Sequence, residues 1–188
     1  EWHKGIIANP NCSTIQMVVA LKPLHDAYGL KRVVVSTYQA VSGAGKEGMD
    51  ELQQQMEDIV KGKELKVEKF QYQIANNLIP HIDVFQDNDY TKEEMKMTWE
   101  TQKMLHSEDI KVSATAVRVP IPRSHSEAVS IETEKPIDAA EAREILRKAP
   151  GIIIQDDIQK NVYPMPLFSS DTDEVYVGRI RKDISCDN

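Results

Sequence analysis

The chain has 188 residues, 40% of them hydrophobic, enough for one packed core with at most a small annex. Its formal charge of -7 argues against a nucleic-acid partner, and no apolar run approaches the roughly 18 residues of a membrane span. Two cysteines are too few for a disulfide scaffold, so reduced thiols and a cytoplasmic setting are expected; with no CxxC or HExxH spacing, no metal site is expected either. The chain begins at Glu1 without Met and ends in a polar tail, Ser185-Cys186-Asp187-Asn188, and reads as a piece of a longer protein. No role is assigned to Cys186.

The first informative stretch is Asn9-Pro10-Asn11-Cys12-Ser13-Thr14-Ile15-Gln16. Helical spacing of Ile15, Val18, Val19, Leu21 and Leu24 predicts a helix from Cys12 to about Tyr28, bent near Pro23 and closed by Gly29. Asn11 is the expected N-cap. Cys12 then sits at a helix N-terminus, where free N–H groups and the helix dipole favour a thiolate and could hold an oxyanion. A small buried cysteine without chemistry is the competing reading.

Residues 31–41 follow, with Val33-Val34-Val35 as a buried strand. Ser42-Gly43-Ala44-Gly45-Lys46-Glu47-Gly48 formally matches GxGxxG between a strand and a helix. The acidic residues that could complete a dinucleotide fold, Glu64 and Glu68, lie in a charged segment unlike a buried strand. A flexible turn with close backbone approach is preferred, or a loop touching a cofactor bound elsewhere. Met49, Leu52, Met56 and Ile59 mark the apolar face of a second helix ending at Gly62. Residues 63–90 are irregular. Thr91-Lys92-Glu93-Glu94 is a capping box opening a third helix, with Met95, Trp99 and Met104 or Leu105 turned inward and Glu100 and Lys103 on one face.

From Lys111 the pattern alternates as in strands. Val112, Ala114, Ala116 and Arg118 share a face, a Pro-rich turn carries His125, and residues 127–134 form the return strand. A helix over 137–148, a short strand over 151–154 and a final strand over 173–181 complete the chain. Strands grouped apart from helices suggest an α+β fold with a mixed, largely antiparallel sheet and helices on one face. An arginine inside an apolar strand needs a carboxylate, from protein or substrate. Gln39, beside the glycine turn, could donate to a bound carbonyl. Cysteine, histidine and arginine together suit carbonyl chemistry on an acidic substrate.

The runs Asn9 to Gln16, Tyr38-Gln39-Ala40-Val41-Ser42-Gly43-Ala44-Gly45, and Arg118-Val119-Pro120 leading to His125-Ser126 resemble aspartate-β-semialdehyde dehydrogenase, as does the Glu100-x-x-Lys103 helix. The likeness spans the chain. It implies the C-terminal catalytic domain of glyceraldehyde-3-phosphate dehydrogenase-like enzymes, with residues 1–188 a single catalytic and dimerisation domain and the NADP-binding domain and closing helix absent.

The resemblance further implies roles. Cys12 is the nucleophile that forms a thioester, and His125 the acid/base. Gln39, Glu100 and Arg118 bind substrate, with Arg118 on its carboxylate. Lys103 binds phosphate, and Ser42 and Gly43 approach the NADP nicotinamide. The implied reaction interconverts aspartyl phosphate, a nicotinamide hydride and aspartate semialdehyde with phosphate release. It would serve synthesis of lysine (by way of diaminopimelate), threonine and methionine, in a homodimer, with little turnover from this piece alone. The run after Cys12 argues against a reductase of N-acetylglutamyl phosphate. A Cys/His thioester hydrolase and a non-catalytic dimerisation module are the alternatives from other classes.

Overall fold

The computed structural model describes residues 5–187, so Asn188 of the polar tail lies outside the described residues. Helix α1 (Cys12–Tyr28) is capped by Asn11, whose Oδ1 accepts from the N–H groups of Ser13 and Thr14 at 3.0 and 3.1 Å. Pro23 sits inside it, and Gly29, with φ 69°, closes it. The chain continues as β1 (Leu30–Gln39), a 3₁₀ turn (Val41–Ala44), α2 (Lys46–Lys61), α3 (Lys92–Met104), β2 (Lys111–Arg118) and β3 (Ser126–Thr133). Helix α4 (Ala139–Lys148), β4 (Ile152–Ile154), the short α5 (Pro166–Ser169) and β5 (Val175–Val177) follow.

The expected mixed α+β architecture is present. In the main sheet β1 is central, parallel to β2 and antiparallel to β3, while β4 and β5 pair in parallel beside it. The return strand expected next to β2 therefore lies across β1 instead. A parallel β1–β2 pair needs a long crossover, and α2, residues 63–90 and α3 supply it.

Helices α1 and α3 cover one face of the sheet, where Met17, Val18, Leu21 and Met97 pack on Val33, Val35 and Ala114. Strand β1 alternates rather than burying all three valines: Val33 and Val35 face this core, and Val34 is half-buried on the other side. That opposite face presents Val34, Ser36 and Tyr38 of β1, flanked in register by Ser113, Thr115 and Val117 of β2 and by Ser130, Ala128 and Ser126 of β3. Tyr38, Thr115, Ala128 and Ser130 on it are exposed.

Two helices bury faces other than those expected. In α2 the buried residues are Gly48, Leu52, Gln55 and Asp58, whereas Met56 and Ile59 are 50% and 38% exposed. The reason is polar. Gln55 accepts from the N–H groups of Ile74 and Ala75, each at 3.0 Å, and donates to Lys66 O at 2.8 Å, so the helix serves the backbone of the irregular segment. In α3, Met97 faces the core in place of Met95, and Trp99 is 50% exposed. The Thr91–Glu94 capping box is present, but Glu94 also accepts the Ala116 N–H of β2 at 2.9 Å, which fixes which face turns inward.

Leu52 packs with Val41, Ile74, Ala75 and Ile79 under the glycine turn. Leu52→Ala is expected to cost about 2–5 kcal/mol in urea unfolding, and Met56→Ala on the same helix well under that.

Candidate active site

The start of α1 meets the start of α3 at the C-terminal end of β1. The Asn11 N–H donates to Glu100 at 2.7 Å, and Asn11 Nδ2 donates to Glu93 Oε1 at 2.9 Å. Glu93 Oε1 also accepts from Gln39 Nε2 at 3.0 Å and lies 3.9 Å from Cys12 Sγ. Gln39 Nε2 is itself 3.9 Å from that sulfur. Sulfur, amide and carboxylate thus form one contact group drawn from α1, β1 and α3.

Arg118 ends β2, paired in register with Gln39. Its backbone is clamped on the other side by Ile79, with N–H···O contacts of 2.9 and 3.0 Å. The guanidinium is buried and donates Nη1 to Ala40 O at 2.7 Å. No carboxylate of the described residues lies within ion-pair distance of it, so the charge is open to an acidic ligand.

Ser124 adopts φ 70°, in the left-handed region, and turns the chain so that His125 Nδ1 accepts the Ala40 N–H at 3.0 Å. A ring that accepts at Nδ1 carries its neutral-state proton on Nε2. Gly43 faces both groups: a Cβ there would stand 3.0 Å from Arg118 Nη1 and 3.4 Å from His125 Nε2. A side chain there would require one of the two to give way by a few tenths of an ångström, so glycine suits this close approach. Ser42, whose N–H donates to Pro122 O at 3.1 Å, lines an adjacent recess of about 320 Å³ with Arg123, Ser124 and Ser169.

The electrostatics alter the expectation for the thiol. Although Cys12 is exposed on one side, desolvation on the other and the Glu93 carboxylate push its pKa up, against weaker lowering by its own and the Ser13 N–H and by Arg118. The helix N-terminus acts in the expected direction but does not win, because burial and the Glu93 charge outweigh it. The Cys12 N–H has no acceptor among the described residues and is the donor left for an oxyanion. Desolvation and the nearby Arg118 cation push the His125 pKa down to about 4, so the ring is neutral at neutral pH. Glu93 stays ionised: its burial is outweighed by donors from Asn11 and Gln39 and by Lys96.

Cys12, Gln39, Arg118, His125 and Gly43 are brought together, with Ser42 at the margin. Glu100 and Lys103 are not placed as expected. The Glu100 carboxylate is taken by the Asn11 N–H, and Lys103 is exposed near the far end of α3. The position that reaches the sulfur is Glu93, one heptad earlier, with Lys96 paired to it three residues on. Lys96 pairs with Glu93 at 3.3 Å and with Asp83 at 2.9 Å. Sequence reading missed them because Glu93 sits in the capping box, where acidic residues serve a helix end. The same i,i+3 spacing was the available signal.

Residues 21–188 match the model of the semialdehyde dehydrogenase dimerisation domain. The aspartate-semialdehyde dehydrogenase of Aquifex aeolicus is 61% identical over 181 residues, 96% of this chain and 53% of the relative. The chain spans about half the length of the curated relatives it matches. Among solved structures, aspartate semialdehyde dehydrogenase II of Vibrio cholerae complexed with ASA superposes with a TM-score of 0.93 at 50% identity, covering 96% of this chain and 53% of that one. The Candida albicans enzyme with NADP gives a TM-score of 0.68 at 26% identity, covering 95% and 49%.

Buried neutral imidazole contributes stability that is fully present above about pH 6.5 and is lost as pH falls through about 4, because the unfolded ring binds the proton first. NMR titration of His125 is expected to give a midpoint near 4, and His125→Gln to flatten the pH dependence of unfolding in that window.

Proposed function

The chain belongs to the semialdehyde dehydrogenase dimerisation domain family, and on that premise we propose that it is the catalytic and dimerisation part of an NADP-dependent aspartate-semialdehyde dehydrogenase. The observation that carries this reading is the convergence of the Cys12 sulfur, the Gln39 amide and the Glu93 carboxylate beside an Arg118 guanidinium that, among the described residues, has no carboxylate within ion-pair distance.

The substrate is a short carbonyl compound with a carboxylate and an ammonium group. Arg118 takes the carboxylate and Glu93 the ammonium, which assigns to Glu93 the part expected of Glu100. Gln39 holds the sulfur against the carbonyl carbon. When the Cys12 sulfur adds, the carbonyl oxygen gains negative charge, and the Cys12 N–H and His125 Nε2–H are the donors placed to meet it. His125 acts here as a donor, since base work at Nε2 would require the proton to move to Nδ1 and break the Ala40 contact. With aspartyl phosphate as substrate, the new S–C bond replaces the C–O bond to phosphate, giving a thioester and inorganic phosphate, which leaves carrying the proton given up by the thiol. Lys96 takes over the expected role of Lys103 as the cation near that phosphate.

Ser42 and Gly43, beside Arg118 and His125, would hold the edge of a nicotinamide ring, a reading supported by the close approach of the Gly43 backbone to both side chains. Bound there, NADP supplies hydride transfer to or from the carbon carried on sulfur. The rest of the NADP site belongs to the part of the relatives that this chain does not span.

The uncovered sheet face is small-sided and uncharged at its centre, where Thr115, Ser36 and Ala128 form one register row. A second copy of the chain is the proposed occupant, supported by the family's description as a dimerisation domain. Ser36→Arg is expected to shift the sedimentation coefficient from dimer to monomer.

In the full-length enzyme carrying this domain, Cys12→Ser is expected to abolish turnover of semialdehyde, phosphate and NADP. Arg118→Lys should raise the semialdehyde KM about tenfold to a hundredfold with a smaller change in kcat. The 188 residues alone should turn over little or nothing. Robust activity after Cys12→Ser would overturn the reading.

A further inference from the structure

A side-chain amide has a donating end and an accepting end of nearly the same shape, and only its hydrogen-bond neighbours fix which way it points. Gln39 is 1% exposed and has such neighbours at both ends. Nε2 donates to Glu93 Oε1 at 3.0 Å and faces Cys12 Sγ at 3.9 Å. Oε1 accepts from Thr37 Oγ1 at 3.0 Å. Thr37 lies two residues earlier on the same face of β1 and is 0% exposed. Its oxygen in turn accepts the Val117 N–H of β2 at 3.3 Å, so its single proton is directed to Gln39.

We propose that Thr37 is a positioning residue for the candidate active site: its hydroxyl, held by the Val117 N–H, orients the Gln39 amide so that Nε2 and not Oε1 faces the Cys12 sulfur. The proposal rests on the reading of Cys12 as the nucleophile. The reversed amide would set an oxygen against both a carboxylate and a sulfur, and would turn N–H groups toward a hydroxyl proton. The Thr37 hydroxyl bonds to Gln39 and to the Val117 N–H, and it acts on the site through Gln39. An N–H aimed at sulfur favours the thiolate, so freeing the amide makes the thiolate scarcer at a given pH.

Thr37→Val removes the hydroxyl and nearly keeps the shape, leaving Gln39 Oε1 buried without a donor. Thr37→Ser restores the hydroxyl with less packing. Both are made in a Cys186→Ser background, so that Cys12 is the sole thiol. Two measurements are taken on each folded variant, folding being checked by circular dichroism. The rate of iodoacetamide alkylation is followed against pH, and the Gln39 side-chain amide protons are followed by 1H–15N exchange spectra. In Thr37→Val the alkylation midpoint is expected to rise about half a unit, lowering the rate at fixed pH about threefold. The Gln39 amide protons should lose protection, and Thr37→Ser should recover both signals. A folded Thr37→Val with an unchanged profile and an unchanged Gln39 amide would overturn the proposal, as would failure of Thr37→Ser to restore either signal. Turnover surviving Cys12→Ser would sink the nucleophile reading separately, and the amide signals would still decide whether Thr37 orients Gln39.

Discussion

One carboxylate oxygen, Glu93 Oε1, accepts from Asn11 Nδ2 and Gln39 Nε2 and faces the Cys12 sulfur, while Oε2 of the same group holds Lys96. Asn11, Cys12 and Gln39 come from the start of α1 and from β1, far from α3 in sequence, and they meet at this one group. A buried anion is costly unless it is hydrogen-bonded, and here three nitrogen donors reach it. The geometry of the site therefore depends on where α3 begins. That start is fixed by the Thr91 capping box and by Glu94 taking the Ala116 N–H of β2. Local helix-end chemistry thus becomes the alignment of three elements around one sulfur.

The second constraint is the end of the sheet. Gln39 and Arg118 are register partners on parallel strands, and the residues that follow each strand cross-brace the pair. Ala40 is the shared strut: its carbonyl accepts from Arg118 and its N–H donates to His125. The guanidinium and the imidazole are thereby held by opposite ends of one residue. The cation beside the ring is one reason the ring stays neutral. A residue with an inert side chain organises two polar ones through its backbone, which composition and motif spacing do not reveal.

The helix at Cys12, its Asn11 cap, the capping box at Thr91 and the α+β class were legible because each rests on local chemistry or short-range periodicity. The strand order was not, since nothing in residues 111–134 says that β1 lies between the other two strands. The inward faces of α2 and α3 were misread because apolar spacing alone ignores polar demand. Gln55 and Glu94 turn inward to satisfy backbone N–H groups of other segments. The assignment of Glu100 and Lys103 rests on the family resemblance: two Glu-x-x-Lys pairs seven residues apart share a helix face, and only packing against α1 shows that Glu93 meets the sulfur while Glu100 takes the Asn11 N–H.

The anion against the sulfur also bears on chemical durability. Peroxides and disulfides attack thiolates far faster than thiols. A sulfur whose pKa is pushed up by burial and by a neighbouring negative charge stays protonated and is sheltered from such damage while the site is idle. A positively charged group arriving at Glu93 would weaken the second of those two influences, so the contact that quiets the empty site would quiet it less once a ligand of that charge is bound.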